Sequence, residues 1–512
     1  MSENVKTHGG HELAALVRGS YEKGEIDYSL NPITLGKGFV KDGDSVVFCC
    51  RRGEREIELT EMFTDPEFNK VERKQLKDLD FSILTLYHEK FKDLPVAFGP
   101  SHVKMPLAEV LSKAGKTQFH CSESEKFAHV TFFLNGGVNE PFPGEVDTCV
   151  PSLKGVPFDT KPELSLPEVA DKVESALGQY DFIVTNFANG DVIGHTANDE
   201  AKIKAAGHVS KALEQVITAA KKAGYVVAVT ADHGNIEVLH TDKGKAHVAH
   251  TSNLVAFIMI DPLNDKPIVM KDGSLKDIAP TVLHVMGVEQ PAEMDGTDLS
   301  CGYDFGKDRK MLLVICDGWG FGDKTDNDAI FLADTPYWDH LLDTEAWSSL
   351  HASGGFVGLG DGKPGNSEAG HSNIGAGRVV PQDDIRLDSA ILDGSFMENP
   401  VLLQAVANAK AKGCPLHLIG LLTKKSSHGS INYPLAIAEM AKELPEVYLH
   451  VIFDGRSTEP GSAPALLEEL DDMIEARGLS LQIVDGVGRG IALDRDGNYA
   501  KVKLAYDNMI GA

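Results

Sequence analysis

The stretch YVVAVTADHGN, residues 225–235, decides the fold, because an uninterrupted apolar run is followed at once by Asp232 and His233. An apolar run of this length without alternation is typical of a strand buried on both faces of a parallel sheet. Adjacent Asp and His side chains directly after such a strand cost free energy unless they find partners. The stretch therefore predicts a buried parallel strand that ends in a functional site.

Two further apolar runs end in the same way. LLVIC (312–316) leads into Asp317 of DGWG, and DFIVTNF (181–187) leads into Asp191 and His195 of ANGDVIGH. In open α/β sheets ligands gather beyond the carboxyl ends of the strands, so the repetition predicts one shared site. Each motif alone has a plainer explanation, since DG after a strand is usually a turn and close Asp–His pairs arise by chance.

Apolar runs alternate with amphipathic stretches along most of the chain, which predicts an α/β fold with helices covering parallel sheets. The other predicted strands are SVVFCC (45–50), HVTFFLN (129–135), LHLIGLL (416–422) and VYLHVIF (447–453). Helices are predicted over 199–223, 399–412 and 462–477. The polar stretch 296–310 is predicted to be a surface connection with no core of its own.

Composition narrows the class of protein. A chain of 512 residues suggests two or three domains, and its formal charge of −27 disfavours nucleic acid or an anionic membrane as the main partner. Seven cysteines without CxxC spacing argue against a disulfide framework and a structural zinc cluster. The apolar runs are too short to span a bilayer, and the first residues lack the apolar core of a secretory signal. We therefore expect a cytoplasmic protein.

The Asp and His residues after the strands form a mixed oxygen and nitrogen ligand set, and His250 of HVAHTSN adds another imidazole. Such a set suits manganese, zinc or cobalt better than calcium, and magnesium fits less naturally. In GNSEAGHSN (365–373), Ser367 is either a helix N-cap or a nucleophile among small residues. Two metal ions would favour the nucleophile, because coordination removes the serine proton and the ions neutralise a transferring phosphoryl group.

A second set of candidates is basic. Arg52 and Arg55 lie in CRRGER, Arg456 lies in DGRSTEP, and Arg489 and Arg495 lie in VGRGIALDRD. The planar guanidinium binds phosphate or carboxylate through two hydrogen bonds. Any one of these residues fits a surface salt bridge, but two of the three segments follow strand-like runs. The group therefore favours binding of a small anion.

In combination the motifs resemble one family, the 2,3-bisphosphoglycerate-independent (cofactor-independent) phosphoglycerate mutases of the alkaline phosphatase superfamily. The resemblance covers nearly the whole chain and rests on DGWG, GNSEAGHSNIGAGR, LHLIGLLT, DGR, GR…LDRD, SEKFAHVTFFLNGG, NFANGDVIGHT, TADHGN and AHTSN. It implies interconversion of 3-phosphoglycerate and 2-phosphoglycerate through a phosphoserine, without 2,3-bisphosphoglycerate. We expect a monomer whose partner is this small-molecule substrate.

The resemblance also implies roles for individual residues. It implies two manganese ions, with magnesium, cobalt or zinc as alternatives. One ion would be held by Asp191, His195 and His250, and the other by Asp317, Ser367, Asp232 and His233. Ser367 would carry the phosphoryl group, and Lys126 would lie near the transferring phosphate. The residues that would hold phosphoglycerate are His428, Arg456, Arg489, Arg495, Arg52 and Arg55.

The order of the motifs is rotated. In the family the DGWG strand opens the chain, whereas here it begins near residue 315. The sequence therefore resembles a circular permutant in which 296–310 joins the former termini. The metal-binding, phosphatase-like domain is then contiguous at 99–382, and the smaller α/β substrate-holding domain is split into 1–98 and 383–512.

The chain departs from the family at three positions. Ser457 stands where the family has aspartate, and Lys424 and Ser430 replace an acid and a histidine. These changes bear on the handling of the substrate hydroxyl rather than on metal binding. Two alternatives stay open: a metal-dependent phosphatase or phosphomutase of another phosphorylated metabolite, and a non-catalytic metabolite-binding protein.

Overall fold

The computed structural model describes residues 8–51, 55–100, 103–264, 266–424, 426 and 428–512. The chain divides into two compact units, which we call the central unit (Ser101–Ile385) and the terminal unit (Met1–Pro100 with Arg386–Ala512). Each unit has its own sheet and its own hydrophobic core. The predicted α/β class is confirmed.

The strands are β1 Ile33–Thr34, β2 Ser45–Phe48, β3 Asp80–Thr85, β4 Val96–Phe98, β5 Gln118–Glu123, β6 Glu145–Val150, β7 Phe182–Phe187, β8 Val226–Thr230, β9 Val255–Ile260, β10 Gly273–Ser274, β11 Met311–Cys316, β12 Ala346–His351, β13 Leu416–Leu422, β14 Val447–Phe453 and β15 Leu481–Gly488. The helices are α1 Gly10–Tyr21, α2 Ile57–Thr64, α3 Leu107–Lys113, α4 Leu166–Ala176, α5 Asn189–Gly194, α6 Asp199–Lys222, α7 Ile278–Val285, α8 Ala329–Leu332, α9 Pro336–Thr344, α10 Ser367–Ala376, α11 Asp383–Asp393, α12 Pro400–Lys412, α13 Asn432–Met440, α14 Ala463–Ala476, α15 Arg489–Ala492 and α16 Tyr499–Ile510. None of the described helices is long and apolar enough to cross a membrane.

The sheet of the central unit has the strand order β10-β12-β9-β8-β11-β7-β5-β6. Strand β11 pairs in parallel with β8 on one side and β7 on the other, and every residue of these three strands is buried. Their continuous apolar sequences follow from burial on both faces. Because parallel neighbours end at one edge, the residues after β7, β8 and β11 are brought together.

The sheet of the terminal unit has the order β1-β15-β14-β13-β2-β3-β4, with all pairs parallel except β1 with β15. Side chains of β13 alternate between two cores, with Leu418 in one and Ile419 and Leu421 in the other. This alternation shows that the sheet is covered on both faces, as its apolar strands predict.

A buried polar chain crosses three strands of the terminal sheet, β13, β14 and β15, and ends at Asp44, the residue before β2. His417 Nε2 lies 3.1 Å from Asp44 Oδ2, His417 Nδ1 lies 3.0 Å from His450 Nε2, and His450 Nδ1 lies 2.7 Å from Asp485 Oδ2. Burial lowers the pKa of His417, so this ring is neutral, donates from Nε2 to Asp44 and accepts at Nδ1. The Nε2 of His450 then faces the Nδ1 of His417, and its Nδ1 faces Asp485 Oδ2.

One expectation from the sequence is wrong, and a second holds only in part. The run HVTFFLN (129–135) is not a strand, because His129–Phe133 forms a π-helical turn. The stretch 296–310 has no helix or strand and exposes Cys301 and Lys307, but it is not only a surface connection. Leu299 and Phe305 are buried in the core of the central unit, where their apolar side chains leave water.

Candidate metal centre

The predicted metal ligands of the central unit converge at the carboxyl edge of its sheet. Asp317 follows β11, Asp191 lies in the first turn of α5 after β7, and Asp232 and His233 follow β8. Asp317, Asp232 and His233 are fully buried, and Asp191 is 6% exposed. Their common position follows from the parallel pairing of β8, β11 and β7.

Ser367 is the first residue of α10 and points into this cluster. The N-cap of the helix is Asn366, whose side chain accepts a hydrogen bond from the Ala369 N–H at 2.8 Å. The capping role that the sequence left open for Ser367 therefore belongs to its neighbour. Ser367 Oγ lies 3.1 Å from Asp317 Oδ1 and 3.0 Å from His233 Nε2.

Lys126 is buried at the middle of the cluster. Its Nζ lies 2.7 Å from each of Asp191 Oδ2, Asp317 Oδ1 and Ser367 Oγ. Burial alone would lower the pKa of Lys126, but the carboxylates of Asp317, Asp191 and Asp232 raise it above its usual value. The ammonium is therefore held charged, with its donors aimed at the serine and two acids.

His195, His250 and Asp191 form a compact group of three acceptors. His195 Nε2 lies 3.1 Å from Asp191 Oδ1, His250 Nε2 lies 3.0 Å from the same oxygen, and the two Nε2 atoms lie 3.0 Å apart. His195 Nδ1 donates to the Val248 carbonyl at 2.9 Å, and His250 Nδ1 donates to the Gly365 carbonyl at 2.8 Å. With Nδ1 donating to a carbonyl, each ring directs its Nε2 toward the other ring and toward Asp191.

This arrangement fits a metal ion. Two imidazole lone pairs and a carboxylate oxygen repel one another at these distances unless a cation lies among them. A metal-ligating histidine characteristically donates its other ring N–H to a carbonyl or carboxylate, as both rings do here. Burial would raise the pKa of Asp191, but Lys126 and the imidazoles of His195 and His250 hold it well below its usual value.

The remaining ligand candidates fit a second ion. His233 Nδ1 donates to the Gly234 carbonyl at 3.1 Å, so its Nε2 lone pair faces Asp232 Oδ2 and Asp317 Oδ1, each 3.5 Å away. Asp232 Oδ2 is buried and accepts no hydrogen bond from the described residues. A buried carboxylate oxygen without a donor is costly, and a cation would satisfy it.

His371 lies one helical turn after Ser367 and is not among the site residues that the sequence predicts. His371 Nδ1 lies 2.9 Å from the Ser367 carbonyl, and its Nε2 lies 3.1 Å from Asn186 Nδ2. Because the carbonyl can only accept, Nδ1 is protonated, and Nε2 accepts from the amide of Asn186. His371 is also near Asp232 and Asp317, but both of its nitrogens are engaged, so it supports the ligands rather than binding a metal. The Nδ2 of Asn186 also donates a hydrogen bond to Asp317 Oδ2 at 2.6 Å, so His371 is linked to this ligand through Asn186.

The basic candidates belong to the terminal unit and follow the ends of its strands. Arg489, directly after β15, is 3% exposed and donates to Asp454 Oδ1 at 2.6 Å. His428 Nδ1 lies 3.2 Å from Glu56 Oε1, and Arg55 donates to the Leu493 carbonyl at 3.0 Å. Arg456 and Arg495 are exposed, and Arg52 lies outside the described residues.

The three residues at which the chain departs from the family it resembles, Ser457, Lys424 and Ser430, also belong to the terminal unit. Ser457 is exposed, and its Oγ lies 3.2 Å from Ser426 Oγ. Lys424 forms an exposed ion pair with Glu469 at 2.8 Å, and Ser430 Oγ donates to the Lys424 carbonyl at 3.1 Å. The Lys424 ammonium is therefore engaged by a surface acid of α14.

Residues 30–290 match the Metalloenzyme superfamily, and residues 387–512 match a family described as the BPG-independent PGAM N-terminus. The 2,3-bisphosphoglycerate-independent phosphoglycerate mutase of Moorella thermoacetica is 41% identical over 299 residues, which are 57% of this chain and 58% of that protein. The 2,3-bisphosphoglycerate-independent phosphoglycerate mutase of Ectopseudomonas mendocina is 42% identical over 296 residues, which are 56% of this chain and 57% of that protein.

The alignments thus span little more than half the length of these curated relatives. A crystal structure of Leishmania mexicana phosphoglycerate mutase at low cobalt concentration is 27% identical, with a TM-score of 0.40, and covers 50% of this chain and 51% of that one. The superfamily match extends over half of the chain and contains Lys126, Asp191, His195, Asp232, His233 and His250. The chain belongs to the Metalloenzyme superfamily, and within it is similar to the 2,3-bisphosphoglycerate-independent phosphoglycerate mutases.

Proposed function

We propose that this chain is a phosphoglycerate mutase that moves a phosphoryl group between the 3- and 2-hydroxyls of glycerate by way of Ser367. The observation that carries the proposal is the position of Ser367 Oγ, within 3.1 Å of Lys126, His233 and Asp317. A serine in this position has an ammonium, a carboxylate and an imidazole around its oxygen, which are the groups that phosphoryl transfer requires.

We assign one divalent ion to Asp191, His195 and His250, and the other to Asp317, Ser367, Asp232 and His233. Manganese suits this oxygen and nitrogen donor set, and cobalt, zinc or magnesium are the alternatives. When bound, the ions supply positive charge that neutralises the phosphoryl group and lowers the pKa of the serine hydroxyl.

The residues of the chain then perform the transfer. The Ser367 Oγ–P bond forms as the P–O bond to glycerate breaks. The serine proton passes along its hydrogen bond to Asp317 Oδ1, 3.1 Å away, and from there to the leaving oxygen of glycerate, which becomes a hydroxyl. Lys126 donates to oxygens on which negative charge develops, because its ammonium is fixed by Asp191 and Asp317. In the second transfer the other hydroxyl of glycerate attacks the phosphoserine and the Oγ–P bond breaks, and the proton of that hydroxyl returns by way of Asp317 Oδ1 to Ser367 Oγ.

We assign phosphoglycerate binding to the terminal unit, through Arg52, Arg55, Arg456, Arg489, Arg495 and His428. Arg489 and His428 support this assignment, because each is paired with a carboxylate that orients it. A guanidinium held by Asp454 at one nitrogen keeps further donors for an anion.

We also propose that the chain order is circularly permuted relative to its relatives. The support is the order of the family matches: the one described as an N-terminus covers residues 387–512, after the superfamily match at 30–290. Under this proposal the central unit is the metal-binding domain and the terminal unit the substrate-holding domain.

The proposal is tested with Ser367→Ala. The variant should form no phosphoenzyme from labelled 3-phosphoglycerate and show no turnover in an enolase-coupled assay with Mn²⁺ and without 2,3-bisphosphoglycerate. Ser372→Ala, on the same helix, is the control and should retain both. Activity in Ser367→Ala would overturn the proposal.

One observation favours a second function, hydrolysis of the phosphoserine. Ser457 Oγ contacts another hydroxyl, that of Ser426, at 3.2 Å, and neither is a base at neutral pH. A positioned general base contributes about 10²–10⁴-fold to proton transfer, so the attack by glycerate would be slowed relative to attack by water. Asp454 is buried and engaged by Arg489, which leaves it poorly placed to replace the missing carboxylate.

Ser457→Asp separates the two functions. The variant should raise the ratio of 2-phosphoglycerate formed to inorganic phosphate released, with both products measured in one reaction. An unchanged ratio and rate would show that Ser457 does not limit the mutase reaction.

A further inference from the structure

We propose that Glu237 is a positioning residue for the metal centre, because its carboxylate holds together the loops that carry the ligands. The inference rests on the metal centre of the proposed function and not on the identity of the substrate. Glu237 is 1% exposed and lies five residues after Asp232, and it is not itself among the proposed ligands.

Four donors from three loops converge on this carboxylate. Glu237 Oε2 accepts from the N–H of Asn235 at 2.8 Å and from the N–H of Gly320 at 3.1 Å. Glu237 Oε1 accepts from Thr251 Oγ1 at 2.5 Å and from Asn253 Nδ2 at 3.0 Å. Each oxygen therefore accepts two hydrogen bonds, so the carboxylate is fully occupied by protein donors.

Each donor lies close in sequence to a proposed ligand. Asn235 follows His233 by two residues, Gly320 follows Asp317 by three, and Thr251 is adjacent to His250. The Asn235 side chain extends the link, because its Nδ2 donates to Asp191 Oδ1 at 3.0 Å. The hydrogen bonds of one carboxylate thus fix residues that lie next to ligands of both proposed ions in the sequence, and through Asn235 they extend to Asp191 itself.

Two glycines show that the backbone is shaped around this group. A Cβ placed on Gly234 would lie 2.3 Å from Glu237 Oε1, and one on Gly320 would lie 2.5 Å from the same oxygen. Gly234 also accepts, through its carbonyl, a backbone hydrogen bond from Thr251 at 2.9 Å. The close approach of the loops to the carboxylate therefore requires residues without side chains at both positions.

The geometry explains why a carboxylate is needed. A glutamine would turn one acceptor oxygen into an NH₂ group that faces two donors, so at least one loop would lose its contact. The ligands on that loop would no longer be held at the correct separation. Loss of such an outer hydrogen bond typically weakens metal binding about 10–100-fold.

The test compares Mn²⁺ affinity, measured by titration of metal-free protein, in wild type, Glu237→Gln and Asp277→Asn. Asp277 is a matched control in the same unit: it is 6% exposed, accepts from the N–H groups of Ser274 and Thr297, each at 2.8 Å, and contacts no proposed ligand in the described structure. We expect both variants to lose thermal stability. Only Glu237→Gln should lose Mn²⁺ affinity, by about 10-fold or more.

Thr251→Val keeps the test decisive if Glu237→Gln does not fold. It removes one donor to Glu237 Oε1 and leaves the carboxylate in place, and we expect a smaller loss of Mn²⁺ affinity in the same direction. Wild-type affinity in the variant that folds would overturn the positioning role. Failure of the wild-type protein to bind Mn²⁺ would instead remove the metal centre of the proposed function.

Discussion

His195 and His250 face each other across 3.0 Å through their Nε2 atoms, while each ring donates its Nδ1–H to a backbone carbonyl. Asp191 Oδ1 lies 3.0 Å from His250 Nε2. The group therefore holds either a proton or a metal ion, and the two compete for the same lone pairs.

This competition predicts that Mn²⁺ binding releases protons near neutral pH. The hydrogen bond to Asp191 raises the pKa of His195, and Asp191 likewise raises the pKa of His250 against the opposing effect of burial. Without metal, a proton is therefore retained above the usual histidine pKa of about 6.5. Calorimetric titration in two buffers of different ionisation enthalpy should show a buffer-dependent heat, and affinity should fall as the pH is lowered. Identical heats in both buffers would contradict the prediction.

Lys126→Met should separate metal binding from phosphoryl transfer. The substitution keeps the aliphatic stem but removes the ammonium that contacts Asp191, Asp317 and Ser367. We expect phosphoenzyme formation in a single turnover to fall about 10²-fold or more, because a charge aimed at the reacting oxygens is lost. Mn²⁺ affinity should be kept or tightened, since a competing cation is removed. Transfer at the wild-type rate would show that Lys126 does not act on the reacting group.

His120 should make the central unit sensitive to acid. It is fully buried, Nδ1 donates to the Val130 carbonyl at 2.8 Å, and burial lowers its pKa to about 4. Between this value and the unfolded value of about 6.5, the unfolded chain binds the extra proton, so stability falls as the pH falls. Burial and Glu145 raise the pKa of nearby Asp147 to about 6, which opposes the effect, because the folded state takes up that proton.

His120→Asn removes the histidine contribution. Urea unfolding of wild type and variant, both with chelator so that metal does not vary, should show a smaller loss of unfolding free energy from pH 7 to pH 5 in the variant. The difference is expected to be about 2 kcal/mol. Equal losses in both proteins would contradict a role for His120.

Phe305 should stabilise the connection 296–310. It is 5% exposed, and its ring lies 4.7 Å from that of Tyr303 and 5.8 Å from that of His284. Phe305→Ala should cost about 3 kcal/mol through lost burial and the cavity left behind. The exposed Lys307 is the control, and Lys307→Ala should change stability by less than about 0.5 kcal/mol. Equal effects of the two substitutions would show that Phe305 does not anchor the connection to the core of the central unit.

The strands that carry the site could be predicted because each is buried on both faces and reads as a continuous apolar run. Val226–Thr230 and Met311–Cys316 lie within one residue of their predicted limits. The same pattern failed at His129–Phe133, since a short apolar run does not distinguish a strand from a helical turn. There Thr131 Oγ1 donates to the Phe127 carbonyl at 2.7 Å, an i to i−4 contact that only a helical backbone permits.

The convergence of Asp191, Asp232 and Asp317 followed from the ends of parallel strands, and the structure does bring them together. The support given by His371 and Glu237 could not be predicted in this way. Glu237 resembles any surface acid in the sequence, and its importance arises from donors that other loops bring to it. Such contacts depend on the packing of loops, which leaves no periodic pattern in the sequence.

The split of the terminal unit has a consequence for synthesis on the ribosome. Strands β1 to β4 are made before the central unit. However, β2 completes its pairing only with β13 and β1 pairs with β15, and both of these partners are made after the whole central unit. Until then the nascent chain carries an open, apolar strand edge, a known starting point for aggregation. We expect the central unit to fold before the first segment of the terminal unit can complete its sheet. Chains truncated before residue 416 should therefore contain a protease-resistant central unit and a protease-sensitive first segment.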